Sequence, residues 1–168
     1  HYRSPIDMNE ALLNDAERNY NRVLECYIES LKNCKSENNV PLPVADFSST
    51  NPLSKSLALL EKMAQGFAKA MDDDFNSREA VAKVLGATRE MMKMHNSGMD
   101  EADSNAFAHY AVDWLEETAG AVLGVLPSRE MALAEPEDDP RKLEIADEVD
   151  ALLLARTKAR TDKDWAKA

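Results

Sequence analysis

Glycine and proline are scarce in this chain, five and seven of 168 residues, which leaves room for long uninterrupted helices. No stretch shows the strict apolar–polar alternation of a half-buried strand. No apolar run approaches the ~18 residues of a membrane-spanning helix. The opening His1-Tyr2-Arg3-Ser4-Pro5 has neither an initiator methionine nor the features of a signal peptide, and it reads as a cut inside a longer protein. Cysteine is nearly absent. Cys26 and Cys34 fall on one helical pattern, where two turns separate them by ~12 Å, too far for a disulfide within an intact helix. No CxxC pair or nearby histidine completes a zinc ligand set, so free thiols and a reducing cytoplasm are expected. Gly-rich phosphate loops are missing as well. Basic residues are outnumbered twenty to thirty-one, and the net charge of −11 argues against a non-specific nucleic-acid binder. That total still leaves room for a local basic patch.

What the chain does have is helical periodicity. Hydrophobic residues at 44% and charged residues at 30% are ordinary for a soluble globular protein of one domain, with or without a small appendage. A capping-box pattern at Asp7 and Glu10 predicts a first helix. Its stripe is Leu12, Leu13, Ala16, Tyr20, Val23, Leu24, Tyr27, Ile28 and Leu31. Lys35 to Asn51 breaks the pattern with three nearby prolines and predicts a long loop. Asn51-Pro52 predicts a second helix start, and Asn76 with Glu79 a third. A fourth begins between Asp100 and Ser104 and runs to Gly124, burying Phe107, Tyr110, Trp114 and Leu115. The fold class is therefore all-α: an antiparallel bundle of four main helices over residues 1–126. Met91, Met92 and Met94 read as core filling, not as a metal box.

From Pro127 to Pro140 the composition turns acidic and predicts a solvated flexible linker. A fifth helix begins after it, at Asp139-Pro140, and residues 141–168 read as the start of a truncated module. Charge reverses along this part. Residues 128–150 hold nine acidic and three basic residues, whereas 156–167 hold five basic and two acidic ones. Arg156 and Arg160 prolong the apolar stripe of Ile145, Val149 and Leu152. Two readings stand side by side: a helix end offering phosphate contacts, or a solvated end whose cations complement the helix dipole. Trp165 fits either packing or base stacking.

Asp72-Asp73-Asp74-Phe75-Asn76 interrupts the second and third helices. Three consecutive carboxylates point in different directions, unlike the alternating ligands of a calcium loop, so Asp72, Asp73, Asp74 and Asn76 read as a structural turn.

Three segments together carry a resemblance. His1-Tyr2-Arg3-Ser4-Pro5-Ile6 resembles the end of the stem-contact region of cysteinyl-tRNA synthetases. Ala70-Met71-Asp72-Asp73-Asp74-Phe75-Asn76 resembles a turn between helices of the same family, although Ser77 and Arg78 stand where Thr and Pro are frequent. Val149 to Arg160, followed by Lys163-Asp164-Trp165, looks like the family's C-terminal pattern, and the three segments together resemble its C-terminal helical, DALR-type anticodon-binding region. The resemblance implies a cytoplasmic parent enzyme joining cysteine to its tRNA through an adenylate made from ATP, with zinc in its catalytic domain. The HIGH-type and KMSKS-type signatures of that domain do not occur here. The expectation is thus a catalytically inert region without cofactors or catalytic residues, partnered by cysteine tRNA and by its own N-terminal catalytic domain, monomeric and away from membranes. Arg156, Lys158, Arg160 and Lys163 are the candidate tRNA contacts. Two rivals are a related ligase condensing cysteine with an amino sugar, and a non-enzymatic helical adaptor.

Overall fold

A computed structural model describes residues 9–35 and 41–134. Among them are five α-helices and no strand: α1 Glu10–Asn33, α2 Pro52–Asp72, α3 Ser77–His95, α4 Glu101–Leu115 and α5 Arg129–Leu133. A π-helical segment, Glu116–Val122, continues α4 directly. The all-α expectation holds across the described residues.

Helix starts follow local chemistry. Asn9 caps α1 by accepting the Leu12 amide at 2.9 Å, one residue before the Glu10 of the expected capping box. Asn51 accepts the Leu53 amide at 2.9 Å with Pro52 at the first helical position. Asp100 accepts the Asp103 amide at 2.8 Å at the head of α4. Each side chain satisfies an amide that the helix itself leaves without a partner.

α2 and α3 form a hairpin. Ser56 reaches Glu90 and Met94, Met63 lies over Gly86 and Lys83 over Gly66, so the two helices run in opposite directions. A Cβ on Gly86 would sit 3.2 Å from the Met63 methyl, so the missing side chain lets that thioether lie close. α1 runs in the same direction as α3, because Cys26 meets the Thr88 carbonyl and Ser30 meets His95. α4 runs against α1: the Lys35 amide donates to Asn105 at 3.0 Å, and Tyr27 meets Glu116. Tyr27, Leu60, Met91, Phe107 and Leu115 are fully buried between these helices. Burying each such side chain contributes about 1.5–3 kcal/mol.

Three features depart from the sequence reading. The apolar stripe of α1 is buried only from Val23 onward, and Leu12, Leu13 and Tyr20 remain exposed. The fourth helix is α-helical only to Leu115. There Thr118 Oγ donates back to the Trp114 carbonyl at 2.8 Å, and the wider turn closes with the Leu123 amide on the Thr118 carbonyl at 3.1 Å. Such back-bonding competes with the regular ladder and bends helices. Gly124, at φ 67°, ends the segment. Finally, the stretch expected as linker from Pro127 begins with α5, whose Ala132 is buried. Arg129 at its start pairs with Glu116, a contact that acidic composition does not reveal.

Candidate nucleic-acid interface

Arg156, Lys158, Arg160, Lys163 and Trp165 lie outside the described residues. The Asp72–Asn76 turn lies inside them. Asp74 and Phe75 both adopt φ 55°, the left-handed region, and the amides of Phe75 and Asn76 close back on Met71 and Ala70 at 3.1 and 2.9 Å. Asn76 Oδ1 then accepts the Glu79 amide at 3.3 Å. Phe75 is left exposed at the tip.

A cationic feature emerges elsewhere. α1 and α3 flank a cleft of about 400 Å³ lined by Asn19, Arg22, Glu25, Leu85, Thr88, Arg89 and Met92. Neither Arg22 nor Arg89 forms an ion pair among the described residues. Some other cations are engaged, Arg18 with Asp15, Lys83 with Glu79, Lys93 with Glu90 and Arg129 with Glu116, so what marks Arg22 and Arg89 is their place on one cleft. Two guanidinium forks at one cleft suit an oxyanion, because each presents paired N–H donors in a plane. Glu25 moderates the local charge. Sequence reading missed this pair, since 67 residues separate Arg22 from Arg89 and only the packing of α1 on α3 joins them.

The frame behind the cleft is fixed by buried polar contacts. Ser30 Oγ donates to the Cys26 carbonyl at 2.8 Å, which spends its only proton. His95 Nε2, 2.9 Å from the same oxygen, is therefore the N–H donor of that pair. Its Nδ1 is then a buried acceptor with no hydrogen-bond partner, and the ring meets Phe107 edge-on at 5.4 Å. Burial holds the His95 pKa below its ordinary value, outweighing the opposing pull of Glu29. Burial likewise pushes the Cys26 thiol up to about 12. Among the described residues no group of three or more His, Cys, Asp or Glu converges on a point that would hold a metal ion. No helix among them is long and apolar enough to cross a membrane.

Residues 66–127, from the middle of α2 to the end of the π segment's exit, match the family model of the DALR domain. Over these residues the helical bundle is similar to a DALR domain. Over its whole length the chain is similar to the cysteine–tRNA ligase of Thermodesulfovibrio yellowstonii, 33% identical over 175 residues, which takes in all of this chain and 33% of that relative. The ligase of Moorella thermoacetica is 32% identical over 170 residues, with all of this chain and 33% of the relative covered. That of Ectopseudomonas mendocina is 35% identical over 168 residues, again with the whole chain and 30% of the relative. No solved structure matches significantly. The chain spans about a third of the length of these relatives and is similar to the C-terminal region of cysteinyl-tRNA synthetases.

Proposed function

We propose that this chain is the tRNA-positioning region of a cysteine–tRNA ligase, whose whole enzyme attaches cysteine to its tRNA using ATP. The observation that carries this reading is the end-to-end similarity to those ligases, with the DALR match falling on the helices that build the bundle. The cleft between Arg22 and Arg89 supports it, since a phosphate backbone is the ligand that such forks recognise. In this reading the bundle braces the tRNA. Residues 141–168 begin an anticodon-proximal module in which Arg156, Lys158, Arg160 and Lys163 contact phosphates. The reaction itself, with ATP and any zinc, belongs to the catalytic part of the enzyme, so this chain alone is inert. The enzyme works as a cytoplasmic monomer specific for cysteine tRNA. Neither the amino-sugar ligase nor the adaptor reading gains support from the relatives.

The test is binding of this chain to labelled cysteine tRNA and to an unrelated tRNA, at ~50 and ~200 mM salt. Preference for cysteine tRNA, weakening with salt, supports a positioning role. Equal binding to both tRNAs at either salt would sink it.

A further inference from the structure

One end of the bundle is apolar where it meets solvent. α1 and α3 run in the same direction, so the start of α1, the start of α3 and the exit of the π segment lie at this end. Between them lies a groove of about 510 Å³ whose walls include Ala16, Tyr20, Val81, Leu85, Leu123 and Val125. Tyr20, Val81 and Val125 are 41%, 41% and 45% exposed, and Leu12 and Leu13 are barer still, at 49% and 62%. Scattered apolar residues on a surface need no explanation, but a contiguous patch marks an interaction site.

The asymmetry of α1 sharpens this. One unbroken stripe runs from Leu12 to Leu31, yet no residue before Val23 is buried. A helix that carries its apolar face more than three turns beyond its own core presents that face to something else.

We infer that this groove seats the catalytic part of the ligase, holding the bundle at a fixed orientation to it. The inference rests on the ligase reading above and names the surface through which that enzyme is held together. The occupant follows from where the relatives' remaining chain lies. The match takes 33% of the Thermodesulfovibrio yellowstonii ligase and is to its C-terminal region, so about two thirds of its length comes before α1. That polypeptide reaches the bundle at the Glu10 end of α1, the end whose apolar face is bare. An interface within one chain needs only about 600–1,500 Å², less than most obligate subunit interfaces.

The experiment uses the full-length ligase. Val81→Asp and Tyr20→Ser change exposed groove positions, and Val44→Asp, at a site 82% exposed outside the groove, is the control. Cysteine-dependent ATP–pyrophosphate exchange reads the catalytic part alone, aminoacylation reads both parts together, and small-angle scattering reads their compactness. The wild type must first charge cysteine tRNA; failure there defeats the ligase reading and is distinct from failure of the groove. The expected result is exchange within about twofold of wild type, kcat/KM for tRNA lowered ~10-fold, and a larger radius of gyration, as an aspartate opposed to apolar surface opens the seat. Helical circular dichroism at the assay temperature stays unchanged, so lost folding does not account for the loss. Groove variants that match Val44→Asp in charging and radius overturn the inference. So does a wild-type dimer that Val81→Asp splits into monomers.

Discussion

Arg129 grips both carboxylate oxygens of Glu116, Nε on Oε1 at 2.6 Å and Nη2 on Oε2 at 2.7 Å. Tyr27 Oη donates to the same Oε1 at 2.7 Å. One carboxylate therefore joins α1, the start of the π segment and α5. Arg129 foremost, with help from Tyr27, holds the Glu116 pKa below its ordinary value. Tyr27 is pushed up to about 12 by burial first and by Glu116 second.

Tyr27→Phe keeps the buried ring and removes the hydroxyl. The expected loss is about 1 kcal/mol at neutral pH, the usual scale for a hydrogen bond to a partly solvated charged group. A carboxylate with a lowered folded pKa adds stability above its unfolded value, 4.5, and that stability is lost as pH falls through the folded pKa. The gap between wild type and variant should therefore narrow below about pH 4.5. Urea unfolding at pH 7 and pH 4 checks this, and a gap that widens in acid would contradict the assigned role of Glu116.

His95 gives a second pH dependence, in a different window. Its folded pKa lies below the unfolded 6.5, so the neutral ring is the one the fold accepts. Well above 6.5 both states are neutral and the histidine adds no pH dependence; as pH falls through 6.5 the unfolded chain takes up the proton first. Stability should fall as pH drops from about 6.5 toward the folded pKa, then level for this group. His95→Phe keeps an aromatic edge toward Phe107 and removes the unpartnered Nδ1. The variant should stay within about 1 kcal/mol of wild type at pH 8 and lose part of the decline between pH 6.5 and 5. An identical decline in both proteins would assign it to other groups.

Three helix starts were legible in the sequence because each rests on a residue acting within three positions, Asn51 on Leu53, Asn76 on Glu79 and Asp100 on Asp103, whereas α1 is capped by Asn9 and the expected Asp7 lies outside the described residues. The stripe of α1 was legible too, but its burial was not. Periodicity says which residues share a face, whereas Leu12 and Val23 differ only in whether α3 and α4 reach them. The π segment was not legible: Thr118 bonds back to Trp114 there, but Thr88 bonds back to Val84 in the same way and α3 stays regular. Arg22 and Arg89 were invisible for a plainer reason. Nothing in either local sequence distinguishes an arginine that finds a carboxylate, as Arg18 does, from one that faces a cleft.

The two cysteines should differ in reactivity. Cys26 is fully buried, with its thiol raised to about 12 and in contact with the Thr88 carbonyl. Cys34 is half-buried at the end of α1, and its thiol is raised chiefly by burial, with Arg129 opposing. The thiolate is the reacting species, so Cys34 should react slowly and Cys26 only through unfolding. Titration with an aromatic disulfide reagent is expected to find one thiol per native chain at pH 8 and two in urea. Two fast native thiols would mean that the packing of α1 on α3 opens readily.

Charge reversal at the cleft tests the RNA reading at described residues. Arg22→Glu and Arg89→Glu lie at exposed positions and break no ion pair among the described residues, so stability should change by less than about 0.5 kcal/mol. If each arginine meets a phosphate, tRNA affinity falls and the slope of log K against log salt drops by roughly 1 per contact. The loss should shrink at high salt, where releasing a counterion into a saltier solution gains less free energy. Arg156→Glu and Arg160→Glu should raise KM for tRNA in the full enzyme and leave cysteine activation unchanged. Comparing the two pairs separates bundle from C-terminal contacts. A salt slope that drops only for Arg156 and Arg160 would place the RNA on the C-terminal segment and leave the α1–α3 cleft solvated. A drop for both pairs would run the phosphate path along the bundle as well.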